Sequence, residues 1–308
     1  MAKASVSGVH QRYLVAIQPS ASSAHFTSGD SASAPAGLRI CPTNTGNKPT
    51  QTAFPTGGTT LKTLFLAWQD PISQGHFPIG RLTNDCTRYQ FVYTQGVLRA
   101  QQCGFQPLPS FPHFVMVYES PELFPLFSNR LLSRWRPEYA DFLQWLNIPT
   151  HSDNPMEILA QSGGQRFTDT LTVFPASEPD EHGVYHIHFF AHVAQNLSPE
   201  TKERIARLQP GEPLLWRADF SAPQNHQNLM LFTKDHATVG YCPQYILDDA
   251  FEMLLQYPHR VQVAVEQLNP PPAPLQFRLL CHMRVLAHDD FHPFSSLMYQ
   301  PIQPALVC

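Results

Sequence analysis

The stretch EHGVYHIHFFAHV, residues 181–193, decides how the C-terminal half is read. Its histidines, His182, His186, His188 and His192, all carry even numbers. Successive side chains of a strand alternate between faces. The four would therefore project from one side, with Tyr185, Ile187, Phe189 and Val193 on the other. Imidazoles on one face could converge on zinc or iron. Against that, strand neighbours at i and i+2 stand roughly 6 to 7 Å apart, and no carboxylate partner sits at ligand spacing. The row reads as the half-exposed face of a strand whose other face enters a core. No metal or cofactor is expected.

Working outward, PASEPDEHG (175–183) is a polar turn with two prolines and a glycine, and it marks a domain boundary. Downstream, SPETKERIARL (198–208) reads as a helix capped by Ser198 or Thr201. EPLLWRA, NLMLFT and ATVGY read as strands, and PQYILDDAFEMLL as a helix entered through Pro243. VQVAVEQL (261–268) and LQFRLLCHMRVL (275–286) are two longer strands with a period of two. Short strands with a helix inserted after Gly240–Tyr241 predict a small closed barrel over 180–286. The remainder, 287–308, reads as an irregular tail. Its cluster AHDDFHPF (His288, Asp289, Asp290, His292) reads as a solvated turn.

Upstream, residues 1–58 are rich in Ser, Ala, Thr, Pro and Gly and lack apolar periodicity, so a disordered tail is expected. Residues 59–174 read as a meander-plus-helices domain. LKTLFLAW, FPIGRL and YQFVYT are three strands joined by the short turns DPISQGH and NDCT. Helices are expected over PELFPLFSNRLLS, RPEYADFLQWLNI and residues 154–162, then a strand over TDTLTVF. Gly163 and Gly164 read as the stop of the third helix rather than a phosphate cradle, and Asp70–Pro71 as a turn starter. The fold class is α+β, an antiparallel meander with short helices followed by a small barrel.

Composition narrows the function. The net charge is −4, and residues 180–285 hold eight Lys/Arg against eleven Asp/Glu, so gripping duplex DNA through many phosphates is disfavoured. Any nucleic-acid contact must rest on a local pocket. No run of about 18 apolar residues spans a bilayer, and residues 1–20, with Lys3 and Arg12, hold no continuous apolar core, so no secretory signal is expected. The six cysteines form no CxxC pair. A cytoplasmic protein without membrane association is expected. No GxSxG, HExxH or GxxxxGK[ST] occurs, so no catalytic residue is assigned and a non-enzymatic role is expected.

The segments HFFAHVAQN (188–196), QPGEPLLW (209–216), SAPQNHQNLMLFT (221–233) and VGYCPQYILDDAFEMLL (239–255) follow one another as in a HIRAN domain. Residues 183–286 resemble that family in element order, most closely through Asn228, Leu229 to Phe232, Val239, Gly240 and Tyr241. HIRAN domains of remodelling helicases bind the 3′ end of single-stranded DNA. Carried over by position, their pocket falls on Gln195, Asn196, Asn225, His226 and Tyr241. His226 stands where the family has an acid, and Asn225 where it has an aromatic. Residues 61–135 resemble, more weakly, the N-terminal subdomain of HipA-type toxin kinases. Gly80 to Leu82, Phe91 to Tyr93 and Phe127 to Leu132 carry that similarity. In those toxins the subdomain is a non-catalytic scaffold.

The resemblance implies a nucleic-acid-binding module for single-stranded or 3′-end-containing DNA, an accessory of bacterial DNA repair or defence. The alternative is a protein–protein interaction scaffold, such as a toxin–antitoxin or defence component, without DNA binding. Aromatic residues of the meander and helices, among them Trp68, Phe124 and Trp135, could supply its docking patch.

Overall fold

Two antiparallel sheets carry the chain, and the computed structural model describes residues 63–166, 168–193, 197–219, 228–256, 258–286 and 292–302. Strands β1 (Thr63–Gln69), β2 (His76–Asn84) and β3 (Tyr89–Tyr93) form the meander read from the short turns. The first turn is an Asp70 construction. Its carboxylate accepts the Ile72 and Ser73 amides and the Ser73 hydroxyl, and these bonds, Ser73's first, hold its pKa below the usual range.

Helix α1 (Gly96–Gln102) follows, unread from the sequence. Gly96 permits its docking, because a Cβ there would stand 2.1 Å from the Pro78 carbonyl oxygen. A short strand β4 (Tyr118–Ser120) pairs with β3. The helix expected over 121–133 shrinks to α2 (Pro125–Ser128). Beyond it the chain turns so that Arg130 points inward, onto the Leu126 and Gly164 carbonyls and Asp169. Helices α3 (Tyr139–Trp145) and α4 (Pro155–Ser162) come next. Asn154 caps α4 by accepting the Met156 amide, and Gly163 ends it in the left-handed conformation at φ +71°. Strand β5 (Leu171–Pro175) then joins the far side of β1, giving the order β4-β3-β2-β1-β5.

The second sheet comprises β6 (Val184–Phe190), β7 (Pro213–Asp219), β8 (Asn228–Phe232), β9 (Thr238–Tyr241), β10 (Val261–Leu268) and β11 (Leu279–Leu286). Helix α5 (Pro199–Ala206) lies between β6 and β7, with the Ser198 hydroxyl accepting the Thr201 amide. Helix α6 (Gln244–Gln256) lies between β9 and β10. The strand order is β6-β11-β10-β7-β8-β9. One face of every strand feeds a single core with α5 and α6, including Tyr185, Ile187, Leu231, Val239, Ile246 and Met283. Each such side chain contributes about 1.5 to 3 kcal/mol on burial. The strand expected over 275–286 is shorter than read. Residues 275–277 form a 3₁₀ turn, since Asn269 takes the Phe277 carbonyl while the Phe277 ring packs against α3.

No closed barrel is found among the described residues. Just past the end of edge strand β6, His192 bridges edge strand β9, its backbone exchanging hydrogen bonds of 2.9 and 3.1 Å with that of Tyr241. Gly240 makes that approach feasible, because a Cβ there would lie 2.7 Å from the His192 carbonyl oxygen. Gly240→Ala should therefore destabilise the protein by at least about 1 kcal/mol. A urea midpoint equal to the parent's would show that the bridge bears no weight.

Packing joins the sheets. Phe190 and Leu280 of the second sheet, with Phe277 of the 3₁₀ turn, meet Leu143, Leu146, Ile148 and Ile158 of α3, α4 and the turn between them. Gln267 and Asn269 donate side-chain N–H groups to the Gln144 and Trp145 carbonyls. Residues 292–302, within the segment read as an irregular tail, pack on the first sheet. Phe294 and Tyr299 pack with Phe65, Ala67 and Phe174 of the first sheet, and Ile302 donates to the Tyr93 carbonyl. Asp249 of α6 accepts the Phe294 amide at 2.7 Å, and burial pushes its carboxyl pKa up to about 7. Residues 1–58, His288, Asp289 and Asp290 lie outside the described residues.

Candidate nucleic-acid interface

Tyr241 is the one predicted pocket residue that the structure describes; Gln195, Asn196, Asn225 and His226 lie outside the described residues. It is partly exposed on the outer face of β9, while Val239 on the inner side is fully buried. Burial and then the Asp219 carboxylate raise its phenol pKa, so the hydroxyl stays protonated and donates to Asp219 Oδ2 at 3.4 Å. The backbone bridge to His192 fixes the strand beneath it. Val193 and Asp219 are the last described residues before 194–196 and 220–227. His192, next to Val193, bridges Tyr241 through the backbone, and Asp219 accepts from the Tyr241 hydroxyl.

Registry builds the rest of this surface. Arg217, Met230 and Tyr241 are opposed across β7, β8 and β9 and form one row on the outer face. Leu215 opposes Phe232 in the neighbouring row. The Arg217 guanidinium lies 5.9 Å from the Phe232 ring centre and 3.7 Å from the Met230 sulfur, so Met230 and Phe232 hold a cation two strands from Tyr241 in the same row. In the next row Asn228, opposite Asp219, accepts from Gln244 at 2.7 Å. The arrangement offers an aromatic face, an exposed guanidinium and a hydrogen-bonding edge within one surface. Arg217 and Phe232 were missed from sequence alone. Only the β7–β8 register reveals them, although the alternation of Leu215, Arg217 and Asp219 in PLLWRAD already carries their shared face.

The histidine row divides. Tyr185, Ile187 and Phe189 do enter the core, and His186 and His188 do share the opposite face. His182 instead belongs to the preceding turn, where Asp180 accepts its amide, and His192 lies past the end of β6. The partner that completes the group is His282 of β11. His188 and His282 stack at 4.4 Å with 7° between ring planes, and His186 Nδ1 lies 2.9 Å from His282 Nε2. Carboxylates flank the stack: Asp180 Oδ2 is 3.0 Å from His186 Nε2, and Glu266 Oε2 is 3.7 Å from His282 Nδ1. Burial, with repulsion from neighbouring cations, lowers the His188 pKa to about 3 and that of His282 to about 4. Hydrogen bonds, that of His186 foremost, hold Asp180 at about 2. Among the described residues no three or more His, Cys, Asp or Glu side chains are grouped so as to hold a metal ion. The stacked His188 and His282 rings join β6 to β11.

No family model matches the chain, and no curated protein or solved structure matches it either. Among the described residues no helix is long and apolar enough to cross a membrane.

Proposed function

We propose that residues 180–286 form a HIRAN-like barrel that binds single-stranded or 3′-end-containing DNA at the Tyr241 end. On this reading the protein is a non-enzymatic, cytoplasmic accessory of DNA repair or defence. The observation that carries it is the row Arg217–Met230–Tyr241 beside the His192–Tyr241 bridge. Stacking on aromatic side chains and phosphate contact by arginine suffice for single strands, so a net acidic half is no obstacle to a local site. The bridge supports closure as well, because it ties edge strand β9 to the residue two past the end of β6, the opposite edge of the described sheet. Residues 59–174 serve in this account as a HipA-like, non-catalytic scaffold.

The test is a pair of variants. Tyr241 stacking contributes about 1 to 3 kcal/mol, so Tyr241→Ala should weaken oligonucleotide binding roughly 5- to 150-fold. Arg217→Gln should weaken it less and reduce its salt dependence. Unchanged affinity in Tyr241→Ala, measured by fluorescence anisotropy at fixed salt, removes this reading.

One observation favours the second reading, a protein partner. Val115, Met116 and Val117 are consecutive and about half exposed, directly before the edge strand β4.

A further inference from the structure

Trp135 is 95% exposed, the most exposed large hydrophobic side chain among the described residues. It sits at the tip of the turn Ser133–Arg136, closed by the Arg136 amide on the Ser133 carbonyl at 3.1 Å. Both ends of this projection are anchored, Leu131 against the meander core and Tyr139 against the contact between the sheets. An aromatic on a fixed projection loses little conformational entropy on binding. Its neighbours on either side are arginines. Arg134 reaches Asp153 at 2.8 Å and Arg136 reaches Glu138 at 2.9 Å, with both guanidinium side chains more than half exposed. Ion pairs this exposed contribute little, so exchanging a carboxylate for a phosphate costs little.

We propose that the Arg134–Trp135–Arg136 turn is a second single-strand nucleic-acid contact, stacking one base on the indole while the two guanidiniums take adjoining phosphates. This rests on the nucleic-acid reading above and adds a site remote in sequence from Tyr241. Indole is the largest aromatic platform available for a base, and arginine is the side chain suited to phosphate. Because Trp135 lies almost wholly in solvent, replacing it cannot empty a core, so the variants isolate binding from folding.

The experiment titrates a labelled oligothymidylate of ~16 nucleotides into the full chain and into Trp135→Ala, Trp135→Phe and Tyr241→Ala. It follows both anisotropy and tryptophan emission. Expected are a 5- to 150-fold weaker Kd for Trp135→Ala, a near-parental Kd for Trp135→Phe, and quenching of indole emission in the parent that Trp135→Phe lacks. Weakening in Tyr241→Ala with a parental Kd in Trp135→Ala overturns this proposal and leaves the barrel-end reading standing. The reverse pattern supports the turn and removes the barrel-end site. No binding by the parent overturns both. A vesicle arm containing phosphatidylserine separates the lipid source of phosphate. Emission shifted by vesicles but untouched by oligonucleotide makes the turn a membrane contact and overturns the proposal.

Discussion

Asp169→Ala should lower stability by about 3 kcal/mol, the low end of the cost of stranding a buried charge. Arg130 is 1% exposed at its side chain, and its guanidinium grips Asp169 with two bonds, of 3.1 and 2.6 Å. Asp169 also accepts the Leu171 amide that starts β5. Without the carboxylate, the guanidinium keeps, among the described residues, the Leu126 and Gly164 carbonyls. The low end applies because Asp169 is 31% exposed and water can enter in its place. Removing both charges should cost much less than the sum of the two single changes. Urea denaturation of Asp169→Ala, Arg130→Met and the double variant checks this. Additive losses would show that the two groups do not act as a pair.

Acid should unfold the protein through the imidazole stack. The folded-state pKa values of His188, about 3, and His282, about 4, lie below the free value near 6.5. Below that value the unfolded chain binds protons that the fold refuses. The stabilisation is therefore complete above about pH 7 and is lost as pH falls through 6.5, to about 4 for His282 and about 3 for His188. At pH 5 the cost for His188 is about 2 kcal/mol, from 1.5 pH units at 1.36 kcal/mol each. Asp249 acts oppositely: its raised pKa gives stability that is lost as pH rises through about 7. Asp180 acts only below its free value near 3.9, outside this window. A difference between parent and His188→Gln cancels both acids. That difference should shift in the variant's favour by about 2 kcal/mol between pH 8 and pH 5. A pH-independent difference would mean that His188 is protonated as readily in the fold as out of it.

These two predictions also mark what the sequence could and could not convey. Strand β10 lies where VQVAVEQL alternates, because a period of two is a local signal. The cores followed likewise, with Tyr185, Ile187 and Phe189 inward. Partners distant in the chain were illegible. Arg130 and Asp169 are 39 residues apart, and His282 reaches His186 and His188 only through the β6–β11 register. Local patterns also misled. SNRLLS continues a helical spacing, yet the inward turn of Arg130 ends the helix early. The helix α1 is only seven residues long and lacks a capping side chain, so nothing in GVLRAQQ marked it. At the candidate site Tyr241 was readable through its glycine neighbour, whereas Arg217 and Phe232 needed strand pairing.

The central claim is that the Tyr241 end of the second sheet takes single-stranded DNA. The direct measurement is the parent's affinity for one single-stranded oligonucleotide, 3′-hydroxylated or 3′-phosphorylated, against a blunt duplex of the same length, at fixed salt and at pH 8 and 6. A Kd of about 100 μM corresponds to only about −5.5 kcal/mol, too weak for specific recognition. The account predicts single-strand binding clearly tighter than that and weaker duplex binding. If the HIRAN-like carry-over holds, with His226 in the position of that family's acid, tighter binding at pH 6 than at pH 8 is expected, since a protonated imidazole suits phosphate. Binding no tighter than about 100 μM for every single strand, or equal affinity for the duplex, contradicts it.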